Sequence, residues 1–460
     1  MHLSRGRCME DKMRRYIAEG LEQYLNTEHH PWHMPGHKRV SGSGKNVTDM
    51  LERAMHFDVT EVPGLDDLHH PSGMIRDSLE ELRHVYGTCG SYYLVNGSTC
   101  GIMAAVTACC RGHEKGSDSP QGYDIIVAGN CHKSVYHTVE LLGLSPALVQ
   151  PRRLTEDIYG AVCPEDVDVL CRENPGVRAV VITSPTYEGI VSDVAGIKKV
   201  LERYDIPLIV DEAHGAHFCF MPEMPASAVT AGADIVIQSL HKTLPSLTQT
   251  AVLHVTNERY REDVCKYLSY YMSSSPSFPM LCSMEYAVAW SQERDYGDYL
   301  ACLKRFRRDV RQLRHIRLLG TEETEPAGAY DYDISRLVLI AEEPMSGLNL
   351  EKALDETGNI VCEMSGLHHV VLISTAMDRA EEFEHLYRTL AEIDAHFEEK
   401  IKTNVYAQDE AAALLGQTAK THIYVYPPGI PIVMAGELVT EEKLSVISQY
   451  IKEGKRVYGL

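Results

Sequence analysis

Seven apolar runs of four to six residues, Tyr92 to Val95, Asp124 to Ala128, Ala147 to Gln150, Ala179 to Thr183, Pro207 to Asp211, Asp234 to Gln238 and Thr250 to Val255, alternate with segments long enough for a helix, such as Gly101 to Arg111 and Val194 to Tyr204. Runs this short read as buried strands, and the helical intervals supply the crossovers that parallel pairing requires. The pattern predicts an α/β fold with an open, mostly parallel seven-stranded sheet covered by helices on both faces. No convincing internal repeat or low-complexity tract interrupts it.

At 460 residues the chain suits a large domain with a smaller one. Its character changes after Tyr299, where a basic helical stretch, LKRFRRDVRQLRH, leads into a second αβ set. There Arg336 to Ala341 and Val370 to Ser374 read as strands, and Ala376 to Phe397 as a long amphipathic helix. YPPGIP at 426–431 reads as a rigid extended turn, since its prolines exclude a helix or a central strand. The expected division is an N-terminal arm at 1–55, a large domain at 56–300 and a small domain at 301–460.

The formal net charge of −21 argues against nucleic acid or an anionic membrane as partner, because both need a basic face, and is compatible with a cationic small substrate. Thirteen cysteines form no CxxC pair, which reads as reduced thiols in a cytosol. The N-terminus has charge without an apolar core, and no segment reaches transmembrane length. A cytoplasmic location is expected.

In an open α/β sheet, ligands bind outside the carboxyl ends of the strands. Lys242, in SLHKTLP, follows the run that ends at Gln238, and an amine at the rim of a buried sheet is costly unless it is paired, depressed in pKa or covalently occupied. Asp211 closes PLIVD, His132 follows DIIVA, and NGST (Asn96 to Thr99) follows YYLV. Read singly, the aspartate is a cap or turn former, the histidine a hydrogen-bonded structural residue, and NGST an ordinary helix start. Together they supply a lysine for a Schiff base, an acid for a pyridinium nitrogen, a flat side chain for a ring face and a helix start for a phosphate. These are the parts of a pyridoxal phosphate site.

The sequence resembles the Orn/Lys/Arg decarboxylase family, pyridoxal-phosphate enzymes of the aspartate-aminotransferase fold type I, in their short form. The resemblance is carried by MPGHKRV (34–40), DVTEVPGLDDLHHPSGMI (58–75), NGSTCG (96–101), NCHKSVYH (130–137), SPTYEGIVSD (184–193), VDEAHGAH (210–217), SLHKTLP (239–245), SSSPS (273–277) and PPGIP (427–431). It implies that Lys242 carries the cofactor, Asp211 pairs with the ring nitrogen, His132 stacks on the ring with Ala213 on the other face, and His214 reaches the ring hydroxyl. Ser98, Thr99, Ser239 and His241 would hold the phosphate. The segment matching SSSPS comes from the neighbouring subunit in related enzymes, which implicates Ser274 and Ser275 and implies a homodimer with shared active sites, with higher assemblies left open.

The implied reaction is decarboxylation of lysine, arginine or ornithine. Its mechanism requires the Cα–carboxylate bond to stand perpendicular to the conjugated ring, and Lys242 or a histidine to return a proton to Cα. The distal cation of such a substrate needs an acidic partner. Glu61, Asp66, Asp67 and Glu363 are candidates, each also readable as a cap or a surface carboxylate, with Glu363 preferred. This chain reads EMSG where related enzymes often place a basic residue after that glutamate. SGSGKN (41–46) lacks the first glycine and final Ser or Thr of a P-loop and reads as a turn. HGAH and LHH lack partners at metal-ligand spacing, and Lys304 to Arg314 reads as a solvated helix face. The alternatives are another fold-type-I enzyme, an aminotransferase or lyase, and a noncatalytic cofactor-binding regulator.

Overall fold

The computed structural model describes residues 13–26, 54–111, 122–155, 157–400, 414–426, 429–452 and 454–460. MPGHKRV, SGSGKN, and Pro427 and Pro428 of PPGIP lie outside them. The main sheet contains β1 (Gly90–Leu94), β2 (Ile125–Ala128), β3 (Pro146–Val149), β4 (Val180–Thr183), β6 (Leu208–Asp211), β7 (Ile235–Gln238) and β8 (Ala251–Val255), while the two-residue β5 (Ile190–Val191) lies outside it. These seven are hydrogen-bonded in the order β1-β8-β7-β6-β4-β2-β3. Each expected apolar run falls on one of them. β6, β7 and β8 are buried along their whole length, which explains their unbroken hydrophobicity.

The described chain divides into two compact units. The first comprises residues up to Asp118, Pro207–Pro222 and Ala226–Asp295; the second comprises 119–206, 223–225 and 296–460. In the first unit β8 runs antiparallel to both β1 and β7, and β6 runs parallel to β7. The carboxyl ends of β1, β6 and β7 therefore lie at one edge. The helix Gly97–Cys110 follows β1 and is built from small residues, most of them buried. At Gly101 a Cβ would lie 2.6 Å from Leu94 Cδ1, so glycine lets the helix approach the sheet and keeps its N-terminus at that edge.

In the second unit β2 pairs in parallel with β3 and β4. A separate antiparallel sheet joins β9 (Ile316–Leu318), β11 (Arg336–Ala341), β12 (Met364–Ser365) and β13 (His369–Ile373) in the order β12-β13-β11-β9. β10 (Asp331–Tyr332) pairs with β5. The last sheet holds β14 (Ile423–Val425), β15 (Pro431–Val433) and β16 (Val457–Tyr458). The expected amphipathic helix occupies Ala380–Ala395.

The basic run departs from a wholly solvated face. Its helix, Gly297–Val310, buries Leu303, Phe306 and Val310, and Arg307 donates to the carbonyls of Ile334 and Arg336 at 3.0 and 3.3 Å. Those carbonyls flank β11, and a guanidinium with five donors can satisfy several at once.

Candidate active site

Lys242 stands on the single turn Leu240–Thr243 directly after β7, anchored by the buried side chains of Leu240 and Thr243. Its Nζ donates to His214 Nε2 at 3.0 Å. Asp211, the last residue of β6, is only 4% exposed and accepts from the backbone N–H of Ala213 at 3.2 Å. Burial pushes its pKa above the ordinary value against the opposing pull of the Lys242 charge and the Ala213 N–H. Ala213 and His214 are themselves buried. The half-buried lysine, the buried aspartate and the buried histidine thus form one electrostatic group.

Successive strand residues face opposite sides, so Glu212 turns away from Asp211. It accepts from Ser227 Oγ at 2.6 Å, Ala228 N at 2.7 Å and Gln238 Nε2 at 2.7 Å, and burial raises its pKa to about 7. This network ties the turn after β6 to the end of β7 and so backs both Asp211 and the lysine turn.

The hydroxyls of Ser98, in the first turn of the helix after β1, and Ser239, directly after β7, meet at 2.6 Å. Thr99 is the next residue of that turn and is exposed. Gly97 adopts φ 74°, a left-handed conformation suited to glycine. Gln249, itself at φ 83°, donates through Nε2 to Val95 O at 2.6 Å and braces the turn. His241 donates through Nδ1 to Thr250 O at 2.8 Å. Burial holds its pKa below the ordinary value.

His132, Ser274, Ser275 and Glu363 are the remaining expected site residues. His132, in the second unit, caps the helix Lys133–Leu142, its Nδ1 accepting from the Ser134 hydroxyl at 2.8 Å and the Ser134 N–H at 3.3 Å. That arrangement fixes the ring orientation and leaves the proton on Nε2. Ser274 and Ser275 are exposed, and the adjoining Ser273 N donates to Asn96 Oδ1 at 3.0 Å. Glu363, in the second unit, is exposed and accepts a hydrogen bond from the Tyr187 phenol.

Two of the acidic candidates are occupied structurally. Asp66 accepts from the backbone N–H groups of Ser72, Gly73, Ile75 and Arg76, capping the helix Met74–Tyr86. Asp67 accepts from His69 and His70. Sequence reasoning missed Glu212, Gln249 and the Thr250 carbonyl. Glu212 had a signal, the alternation within VDEAHGAH; Gln249 had none, because its left-handed backbone leaves no mark in residue type.

The sheet order, the one antiparallel strand and the lysine turn define the fold of pyridoxal-phosphate enzymes of fold type I. Among solved structures, the chain is similar to the lysine decarboxylase LdcF of Francisella novicida (TM-score 0.81, 19% identity, 97% of this chain and 79% of that one). It also resembles the ureidoglycine-glyoxylate aminotransferase of Bacillus subtilis (TM-score 0.52, 14% identity, 70% and 85%). The model of the Orn/Lys/Arg decarboxylase major domain matches residues 17–325 and that of the family's C-terminal domain matches 380–457. The chain belongs to the Orn/Lys/Arg decarboxylase family and is an amino-acid decarboxylase.

Full-length relatives include the uncharacterized protein YaaO of Bacillus subtilis (strain 168), 31% identical over 96% of this chain and 95% of that protein. The arginine decarboxylase of the same organism is 29% identical over 96% and 95%. The lysine decarboxylase of Hafnia alvei is 22% identical over 94% of this chain and 74% of its own length.

Proposed function

We propose that the chain decarboxylates a basic amino acid with pyridoxal phosphate, with arginine the first substrate to test among arginine, lysine and ornithine. The observation that carries this reading is the Lys242 amine held at 3.0 Å from His214 beside a buried Asp211. A carboxyl raised by burial favours a cationic partner, and a protonated pyridine nitrogen is one. The paired Ser98 and Ser239 hydroxyls at the start of a 14-residue helix suit a phosphate. The residues present therefore fit the cofactor. Arginine comes first because the arginine decarboxylase of Bacillus subtilis matches over nearly its whole length.

When bound, pyridoxal phosphate supplies an electron sink for the pair released as the Cα–carboxylate bond breaks. Lys242 would carry the cofactor and then, released and protonated as an ammonium, return a proton to Cα. Asp211 would hold the proton on the ring nitrogen. His214, already hydrogen-bonded to the lysine, would orient that amine and reach the ring hydroxyl. His132, oriented by Ser134, would cover one ring face and exclude water, with Ala213 against the other. Ser98, Thr99, Ser239 and His241 would take the phosphate; because His241 spends Nδ1 on Thr250, only Nε2 is left to face the anion.

Glu363 would take the distal cation of the substrate, since its carboxylate meets Tyr187 in the loop following the carboxyl end of β4. The exposed Ser274 and Ser275 are suited to complete a neighbouring subunit's site in a cytoplasmic homodimer, and the division into arm, large domain and small domain is retained as the functional one. Competition among arginine, lysine and ornithine, with the amines resolved chromatographically, tests the reading. Agmatine with stoichiometric carbon dioxide is expected; a keto acid without carbon dioxide would point to transamination, and bound cofactor without any product to a regulator.

A further inference from the structure

Among the titratable side chains buried in the second unit, three that the reaction above does not use come together. His369, at the start of β13, lies with Nδ1 3.3 Å from Asp157 Oδ2 and Nε2 4.0 Å from Glu188 Oε1, and all three side chains are at most 3% exposed. Asp157 also accepts from the Thr155 hydroxyl at 2.9 Å and the Leu367 N–H at 2.6 Å. Gly366 closes the turn between β12 and β13, where a Cβ would fall 2.2 Å from His369 Cε1 and 2.4 Å from Asp157 Oδ2. The His369 imidazole thus lies between two buried carboxyl groups at ion-pair distances, which places this hairpin beside Asp157 and beside the loop after β4.

The same loop and hairpin meet a second time. Tyr187, next to Glu188, donates its phenol to Glu363, which leads into β12 and whose N–H is held by Val371 O at 3.0 Å. Burial first, and then the Glu363 bond, raise the phenol pKa, so it remains a donor at all physiological pH. Glu363 itself is exposed, an acceptor aimed by a half-buried donor.

We infer that Tyr187 is a positioning residue for Glu363, and that the Asp157–His369–Glu188 cluster holds the two in register so that the Glu363 carboxylate meets the distal cation of a basic amino acid. The inference rests on the reading of Glu363 as the distal-group partner. A carboxylate on a flexible exposed stem loses rotamer entropy when it binds a cation; one already fixed by a phenol and a locked hairpin has lost it beforehand. Asp157, Glu188 and His369 touch no substrate in this arrangement and act only through Tyr187 and the hairpin.

The test compares Tyr187→Phe, His369→Gln and Glu363→Gln in the holoenzyme, with the preferred basic amino acid and norleucine, a neutral amino acid of similar length. Tyr187→Phe keeps the ring and removes one hydrogen bond to a charge, so KM for the basic substrate should rise about tenfold while kcat falls less. The preference for the basic amino acid over norleucine should shrink by the same factor. His369→Gln should shift KM in the same direction, with a folded circular dichroism spectrum as control. A KM within twofold of wild type for Tyr187→Phe, beside a raised KM for Glu363→Gln, overturns the positioning role and leaves the reading of Glu363 standing. An unchanged KM for Glu363→Gln overturns both.

Discussion

Lys242 Nζ and His214 Nε2 lie 3.0 Å apart, with the carboxyl of Asp211 buried beside them at the end of β6. The ammonium lowers the pKa of that carboxyl, and burial raises it by more. A further cation beside that carboxyl would offset the cost of its burial.

Asp211→Asn keeps the shape and removes the charge. Turnover should fall by roughly 100-fold or more, as expected for loss of a buried charge-assisted hydrogen bond. Cofactor binding should survive, because Ser98, Ser239 and the helix start are untouched. Steady-state kinetics together with the visible absorbance of the bound cofactor separate the two effects.

Ser98 and Ser239 share a hydrogen bond of 2.6 Å, so their contributions to phosphate binding should not add. Each single alanine variant should weaken cofactor binding by about tenfold, and the double variant by less than the product of the two. Fluorescence titration of the apoenzyme with pyridoxal phosphate measures the coupling. Strict additivity would mean that the two hydroxyls serve different ligands.

Asp66 gathers four backbone N–H groups at the start of the helix Met74–Tyr86. Burial alone would raise its pKa, yet these donors hold it below the ordinary value. Asp66→Ala should destabilise the fold by about 2 kcal/mol, at the upper end for an N-cap, while KM for a basic amino acid changes little. A urea unfolding midpoint and a KM measured on the same preparation decide between cap and ligand.

The pH dependence of stability follows from four buried groups. Glu212, raised from 4.5 to about 7, binds its proton more tightly in the folded state, so stability falls as pH rises from 4.5 to 7, by on the order of 3 kcal/mol. Glu188, also raised by burial, acts in the same direction. His369 is raised by Asp157 and Glu188 against burial and the opposing charge of Lys455. Its contribution is complete below 6.5 and is lost as pH rises through its folded value. Asp157, lowered to about 2, loses its contribution only as pH falls from 3.8 toward that value. Urea midpoints should therefore decline from pH 5 to 8.5, with Glu212→Gln flattening the lower part of the curve and His369→Gln the upper part.

The strands were legible in the sequence because buried parallel strands are short apolar runs; the expected Pro207 to Asp211 and Asp234 to Gln238 became Leu208–Asp211 and Ile235–Gln238. The direction of β8 was not, since an apolar run carries no sign of its orientation. Lys242 and Asp211 stood out because ionisable residues at the ends of buried runs demand a reason. Asp157, Glu188 and His369 did not: they come from three distant segments, and one histidine among 22 signals nothing until the fold brings the carboxylates to it. Asp66 was ambiguous for the opposite reason, as a cap and a ligand present the same residue type.

The most direct measurement is borohydride reduction of the protein loaded with pyridoxal phosphate, followed by peptide mapping. One phosphopyridoxyl adduct is expected, on Lys242, and none after Lys242→Ala. An adduct on another lysine, or a wild-type protein that takes up no chromophore, would contradict it.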